Sequence, residues 1–195
     1  MTETHISDQF YLSPPKLDEV DAAIALCNAC VGDGMYCAEE IKKSIDAEDS
    51  FFYLLKTEAG EIAGYLYFYI TDLAQIALDG KFPADLVEQP QQKPVGKIQS
   101  IGIKNKYRGE GLSTKMIRFA MRRLQAVGME RVFIICWKKG VEVPLRPTLS
   151  QCGFQFLCVA KKVWYDHPRL RCPYCGGRCC CDAEIYYRIL NEGAC

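Results

Sequence analysis

Residues 97–124 set three signals in a row: the short apolar run KIQSIGI, two glycines one residue apart in NKYRGEGLSTKM, and an apolar stripe at helical spacing. Leu112, Met116, Ala120 and Leu124 form the stripe, with Ile117 and Met121 beside it. Lys115, Arg118 and Arg122 fall on another face, and Gly128 stands where a C-cap glycine ends a helix. The pattern predicts strand, turn and helix in immediate succession. Glycine costs chain entropy unless the backbone needs room or an unusual dihedral. Gly109 and Gly111 therefore mark either a plain tight turn or a backbone that a ligand approaches closely. The second suits a phosphate. N–H groups free at a helix N-terminus point at the anion, the helix dipole favours negative charge, and Arg108 adds a cation. A P-loop needs a longer spacing between its glycines and then Lys-Ser or Lys-Thr, which the sequence lacks. A dinucleotide fingerprint fits poorly, because Thr114 stands where its third glycine belongs.

Other elements surround this unit. LDEVDAAIALCNACV (17–31) and YCAEEIKKSIDA (36–47) read as helices, and residues 50–70 read as a hairpin of aromatic and branched residues around Gly60. Residues 71–96 look irregular, with GKFP and EQPQQKP as breakers. RVFIICW (131–137) predicts a buried strand, 143–152 a short helix limited by Pro144 and Pro147, and 153–165 and 183–190 two further strands. The chain of 195 residues is long enough for a single domain, 1–195, with an insert at 166–182 between its last two strands. Lysine plus arginine equals aspartate plus glutamate, 24 against 24, which gives no support for a nucleic-acid partner. No apolar run approaches the roughly 20 residues of a membrane helix. The polar start MTETHISDQF lacks the layout of a secretory signal, so a cytoplasmic location is expected.

The run IGIKNKYRGEGLSTKMI resembles motif A of the GNAT acetyltransferase superfamily, Q/R-x-x-G-x-G/A. Arg108, Gly111 and Ser113 occupy its fixed positions; Ser113 departs from the usual glycine or alanine but is small. LSQCGFQF resembles the family's second signature, a short helix ending in Gly-Phe before a strand. The order of elements from 17 to 165 also matches, so the resemblance covers most of the chain. It implies a GNAT-like mixed α/β fold: a mainly antiparallel central sheet flanked by helices, with two central strands splayed into a V-shaped cleft. It implies acetyl-CoA as cosubstrate, its pantetheine on the backbone of Ile101 and Ile103. Its pyrophosphate would sit on Arg108, Gly109, Glu110, Gly111, Leu112 and Ser113, with Glu110 contributing only its amide. The implied reaction is direct attack of an amine on the thioester.

That chemistry needs a deprotonated amine, a polarised carbonyl and a proton for the leaving thiolate. Here the sequence departs from the family. The tyrosine that often protonates the thiolate is replaced by Leu149, and the strand 97–103 has Gln99 and Ser100 but no acid. Glu142 stands where the family often has an asparagine on the cofactor. Tyr107 is the substitute catalytic residue; Cys152, Tyr65, Tyr67 and Tyr69 are further candidates, and water relays are an alternative. Acidic residues of the loop (Asp72, Asp79, Asp85, Glu88) would attract a cationic amine, or are simply solvated.

Twelve cysteines are many for a reduced protein. Cys27, Cys30, Cys37, Cys136, Cys152 and Cys158 are scattered among apolar neighbours and read as small core residues. Five crowd into RCPYCGGRCCCDA. Cys172, Cys175, Cys179 and Cys181 have zinc-knuckle form, which predicts a structural Zn²⁺ site that pins the insert. Cys180 would point away, and His167 is a substitute ligand. Arg169, Arg171 and Arg178 flank the cluster and would balance its charge. Disulfides, a redox-active pair and an iron–sulfur cluster are the alternatives.

The expected function is acetyl-CoA-dependent N-acetylation of a small-molecule or peptide amine by a protein that is a monomer or a homodimer. Two other classes stay open: a non-catalytic acyl-CoA-binding module, and an interaction protein that recognises a partner through its zinc knuckle.

Overall fold

The computed structural model describes residues 3–86 and 93–190, so Glu88 and Cys195 lie outside the described residues. Its strands are β1 (Thr4–Ser7), β2 (Phe10–Ser13), β3 (Ser50–Thr57), β4 (Ile62–Asp72), β5 (Pro94–Ile103), β6 (Arg131–Lys138), β7 (Gln155–Ala160) and β8 (Asp182–Ile189). Its α-helices are α1 (Val20–Val31), α2 (Ala38–Asp46), α3 (Leu73–Gly80), α4 (Leu112–Ala126) and α5 (Arg146–Gln151). The strands form one sheet in the order β1-β2-β3-β4-β5-β6-β8-β7. Only β5 and β6 pair parallel, so the sheet is mixed and mainly antiparallel.

Period-two alternation explains why β3 and β4 are apolar almost throughout. Phe51, Tyr53, Leu55, Leu66 and Phe68 pack under α4 with Met116, Phe119 and Ala120. Phe52, Leu54 and Tyr65 face the other way, against Val20, Ala23 and Leu26 of α1 and Ile41 of α2. Both faces of this hairpin are covered, so no polar stripe survives in its sequence.

Two expectations are corrected, and one element was not anticipated. Residues 71–96 contain a helix, α3, whose N-cap Asp72 accepts a hydrogen bond from Gln75 N–H at 2.7 Å. Its apolar side, Leu73, Ile76 and Ala77, is buried against Val95 and Phe133. The helix runs for only 8 residues, and the breakers beside it hid its period. The strand expected over 153–165 ends at Ala160. Lys162 takes a left-handed φ of +48°, and Val163 and Trp164 turn inward instead of continuing the ladder. The polar start also forms a hairpin, β1–β2, which adds to the sheet through β2–β3 pairing. Strands of 4 residues are too short for an alternation signal.

Candidate active site

The sheet opens at its one parallel pair. β5 and β6 are bonded only from Gly96–Val132 to Ile98–Ile134. On its other side β5 carries a bulge: Phe68 pairs with Ile98 but Tyr67 with Ser100, which leaves Gln99 as an extra residue. Beyond that point β5 follows β4 and β6 follows β8, and the two strands part. A cleft of about 1070 Å³ passes between them. Val143, Leu145 and Thr148 line it on the α4 side of the sheet; Tyr67, Tyr69 and Trp164 line it on the other.

The register shows which backbone groups face this cleft. Lys104 N–H donates to Ala63 C=O at 2.9 Å, and Ile103 pairs with Gly64. Ile103 therefore stands at a non-hydrogen-bonded position, with its N–H and C=O turned away from β4. The same holds for Ile101, two residues earlier and opposite Leu66. The groups of Ile101 and the Ile103 N–H are the ladder that the opened strand presents, while the Ile103 carbonyl accepts from Arg108.

The strand leads into the glycine turn. Gly109 and Gly111 have φ of +88° and +70°, the left-handed values that favour glycine, and no atom lies within 4 Å of where a Cβ would stand on either. Gly111 is the N-cap of α4, and the first helical bond closes from Lys115 N–H to Gly111 C=O at 3.2 Å. The amides of Leu112, Ser113 and Thr114 thus have no partner within the helix. Ser113 Oγ lies 3.0 Å from Thr148 Oγ1, and Thr114 donates to Gln151 at 3.1 Å, so α5 braces the turn. Glu110 is exposed. Arg108 is exposed too, and its Nε donates to Ile103 C=O at 2.9 Å, which folds the turn back on the strand end.

Tyr107 lines the same end of the cleft. Its hydroxyl donates to Glu61 at 2.8 Å and its ring meets Phe10 edge-on. The strands part at Gln99, about 13 Å along β5 from Ile103 at strand rise. Leu149 is fully buried in the core and does not line the cleft. Glu142 is exposed and bonds back to Lys139 through its backbone.

At the far end, tertiary structure assembles polar groups that no motif announced. Lys97 Nζ lies 2.5 Å from Asp79 of α3, with side chains 5% and 31% exposed. Burial holds the Lys97 ammonium below the ordinary lysine value, and Asp79 partly offsets this. Tyr36 Oη lies 2.6 Å from Ser100 Oγ beside the bulge, and Tyr69 donates to Gln99 at 3.4 Å. Burial raises the Tyr36 hydroxyl far above its ordinary value, so it stays protonated. The one sequence signal for this end was a lysine inside the apolar strand VGKIQSIGI. A buried lysine needs a partner, and Asp79, which looked like a solvated loop acid, provides it.

The insert brings its cysteines together. The Sγ atoms of Cys172, Cys175, Cys179 and Cys181 all lie within 4.8 Å of one another. Cys181 Sγ is 3.8 Å from Cys172 Sγ and 3.6 Å from Cys175 Sγ. A tetrahedron with Zn–S bonds of about 2.3 Å has S···S edges of about 3.8 Å, whereas a disulfide needs about 2.05 Å. Cys180 N–H points at Cys175 Sγ at 3.4 Å, and its own thiol is exposed. Cys172 exchanges a bridge with Gly177, closing the tight turn. These residues fit a metal held by four thiolates. The other cysteine group, Cys27 and Cys30, packs with α1 against Tyr65 and Gly102. His167 Nδ1 accepts from Leu170 N–H at 3.1 Å, as a loop residue does. The arginines turn outward: Arg169 pairs with Glu40 at 3.1 Å, and Arg178 stacks over Tyr165 at 4.2 Å.

A family model described as "Acetyltransferase (GNAT) family" matches residues 22–154. The chain belongs to that family. The opened strand pair and the glycine turn lie inside the GNAT match; the cysteine insert lies outside it. No curated protein is significantly similar to the chain in sequence. Solved GNAT-like folds do match. Arabidopsis thaliana NAA60 in complex with acetyl-CoA superposes with TM-score 0.72 at 11% identity, over 94% of this chain and 99% of that one. The spermidine/spermine N-acetyltransferase SpeG from Vibrio cholerae gives 0.64 at 12%, over 95% and 96%. The ribosomal-protein-S18-alanine N-acetyltransferase from Escherichia coli gives 0.62 at 12%, over 95% and 96%. At such identities the likeness is one of fold. No described helix is long and apolar enough to cross a membrane.

Proposed function

We propose that this GNAT-family protein transfers an acetyl group from acetyl-CoA to the primary amine of a peptide or small molecule. One observation carries the reading: an opened strand that turns the backbone groups of Ile101 and the N–H of Ile103 away from β4 and runs into a glycine turn at a helix N-terminus. The strand suits the amide-rich pantetheine arm. Arg108, Gly109, Glu110, Gly111, Leu112 and Ser113 suit the pyrophosphate, through amides and the helix dipole. By their names, proteins of this fold acetylate a ribosomal-protein alanine and spermidine or spermine, which supports an amine acceptor.

In the reaction the amine gives up a proton, its nitrogen bonds the acetyl carbon, and the C–S bond breaks with its electron pair left on sulfur, which then takes a proton. Asp79, held by Lys97 at the acceptor end, suits proton removal, directly or through water. Tyr36, protonated and paired with Ser100 beside the bulge, suits donation to the thiolate. Tyr107 is committed to Glu61 at the opposite end, so it suits the turn rather than proton transfer. Zn²⁺ on Cys172, Cys175, Cys179 and Cys181 would be structural, since four thiolates leave no open position. A cluster of thiols suits a reducing compartment such as the cytoplasm.

Amine-dependent release of free CoA, measured against a panel of peptides and polyamines, tests the reaction. Arg108→Glu puts a negative charge at the turn and should abolish acetyl-CoA binding by calorimetry; unchanged binding refutes the turn assignment. Leu149, buried where the family has its acid, favours a second reading, a non-catalytic acyl-CoA-binding module. Tight acetyl-CoA binding with no acceptor-dependent turnover would select it.

A further inference from the structure

The insert between β7 and β8 forms part of the cleft wall. Cys172, Cys179 and Cys181 share a small core with Leu170, and Met35, Trp137 and Trp164 pack against it. The two indoles lie 4.9 Å apart, centroid to centroid. Trp137 and Trp164 also line the cleft, as Tyr67 and Lys97 do. One layer of aromatic rings therefore separates the thiol cluster from the space where an amine would approach.

The insert is fastened to the opposite rim. Arg171 N–H donates to Asp33 C=O at 2.8 Å in the α1–α2 connection. Contact there is so close that a Cβ on Gly34 would stand 2.3 Å from Arg169 C=O. Lys81, just after α3, pairs with Asp166 at 2.9 Å. The insert thus arches from α2 to α3 over one end of the cleft; its Tyr174 feels the charge of Arg108, but among the described residues no hydrogen bond or ion pair joins the insert to the glycine turn. Apart from short bridges it has no regular structure, and a loop of this length needs an internal staple to hold one shape.

We propose that a metal ion bound by Cys172, Cys175, Cys179 and Cys181 shapes the acceptor end of the cleft, so that affinity for the amine follows metal occupancy while affinity for acetyl-CoA does not. The inference rests on the acetyl-transfer reading above. Its readout is built in, because Trp137 and Trp164 are the only tryptophans of the chain.

The experiment compares the purified protein, its chelated form and the form reloaded with zinc or cobalt(II). One metal per chain and thiolate-to-cobalt absorption are expected. Chelation should red-shift the tryptophan emission and raise KM for the best amine of the panel by about tenfold or more, with acetyl-CoA Kd within about twofold, and zinc should reverse both effects. Gly34→Ala should raise the amine KM with metal content unchanged, since it pushes the insert off the rim without touching a ligand. Absence of bound metal, a KM indifferent to chelation, acetyl-CoA Kd rising in parallel with KM, or a fully metallated Gly34→Ala with normal KM would each overturn the proposal. If the metal-loaded protein binds no acetyl-CoA, the acetyl-transfer reading falls and this inference with it. If it binds and turns over but KM ignores the metal, only this inference falls.

Discussion

Replacing Asp79 with alanine leaves the Lys97 ammonium buried without its partner. Breaking a buried pair by removing one member costs about 3–5 kcal/mol, because the remaining charge is stranded. Two features reduce that here. Asp79 is itself 31% exposed, and Lys97 borders an open cleft from which water can reach Nζ. The Tyr69 ring, 5.4 Å from Nζ, supplies only a weak substitute. Asp79→Ala should therefore cost about 2 kcal/mol, a fall of roughly 4–8 °C in Tm for a domain of this size. Lys97→Met should cost below about 1 kcal/mol, since the partly exposed carboxylate can rehydrate. The double variant should be close to Lys97→Met, giving a coupling of about 2 kcal/mol. The pH dependence has a definite sign. Lys97 is already held below the ordinary lysine value by burial, and loss of Asp79 removes an influence that raises it. Between its folded pKa and about 10.4 the unfolded chain binds the proton that the folded chain does not, so Asp79→Ala should regain stability as pH rises through that window. Urea denaturation of the four proteins at several pH values measures all of this. Additive single losses, or an Asp79→Ala deficit that grows with pH, would refute the reasoning.

Gly111→Ala adds a Cβ into open space at φ +70°, so its cost is backbone strain alone, about 1 kcal/mol, with weakened acetyl-CoA binding by calorimetry; Gly111→Asn should be milder, since asparagine tolerates that conformation. Burial would raise the Glu184 carboxyl, but hydrogen bonds from Tyr186, Arg146 and Lys138 bring it below the ordinary value. Its stabilisation is therefore present above about pH 4.5 and lost as pH falls through the lower folded pKa, so the stability gap between the protein and Glu184→Gln should close in acid denaturation. Tyr36→Phe keeps the buried ring and removes the hydroxyl on Ser100; it should lower kcat about tenfold or more with acetyl-CoA Kd unchanged in stopped-flow assays.

The glycine turn was legible because its geometry is local: positive φ at Gly109 and Gly111 demands glycine whatever surrounds it. The cysteine spacing was legible for the same reason, since four thiols within ten residues can meet on one short turn. Helices α1, α2 and α4 announced themselves by an apolar stripe over several turns. The hairpin β1–β2 and helix α3 did not, because a few residues cannot display a period that the packing around them then imposes.

The Lys97–Asp79 end of the cleft was beyond the sequence for a deeper reason. Asp79, Lys97, Tyr36, Ser100 and Trp164 come from a helix, a strand and two connections, and their meeting depends on where the sheet opens. Which strand pair splays is a matter of sheet order and of one bulge at Gln99, both of them long-range pairings. The residues alone determined the family, the cosubstrate expected on the glycine turn and the four cysteines that come together in the insert, because each of those is written in contiguous side chains and amides. Only the tertiary structure decided that Lys97 has a partner, that Tyr107 faces Glu61 and that the cysteine insert walls the cleft, because burial and distance between remote segments are properties of the packed fold.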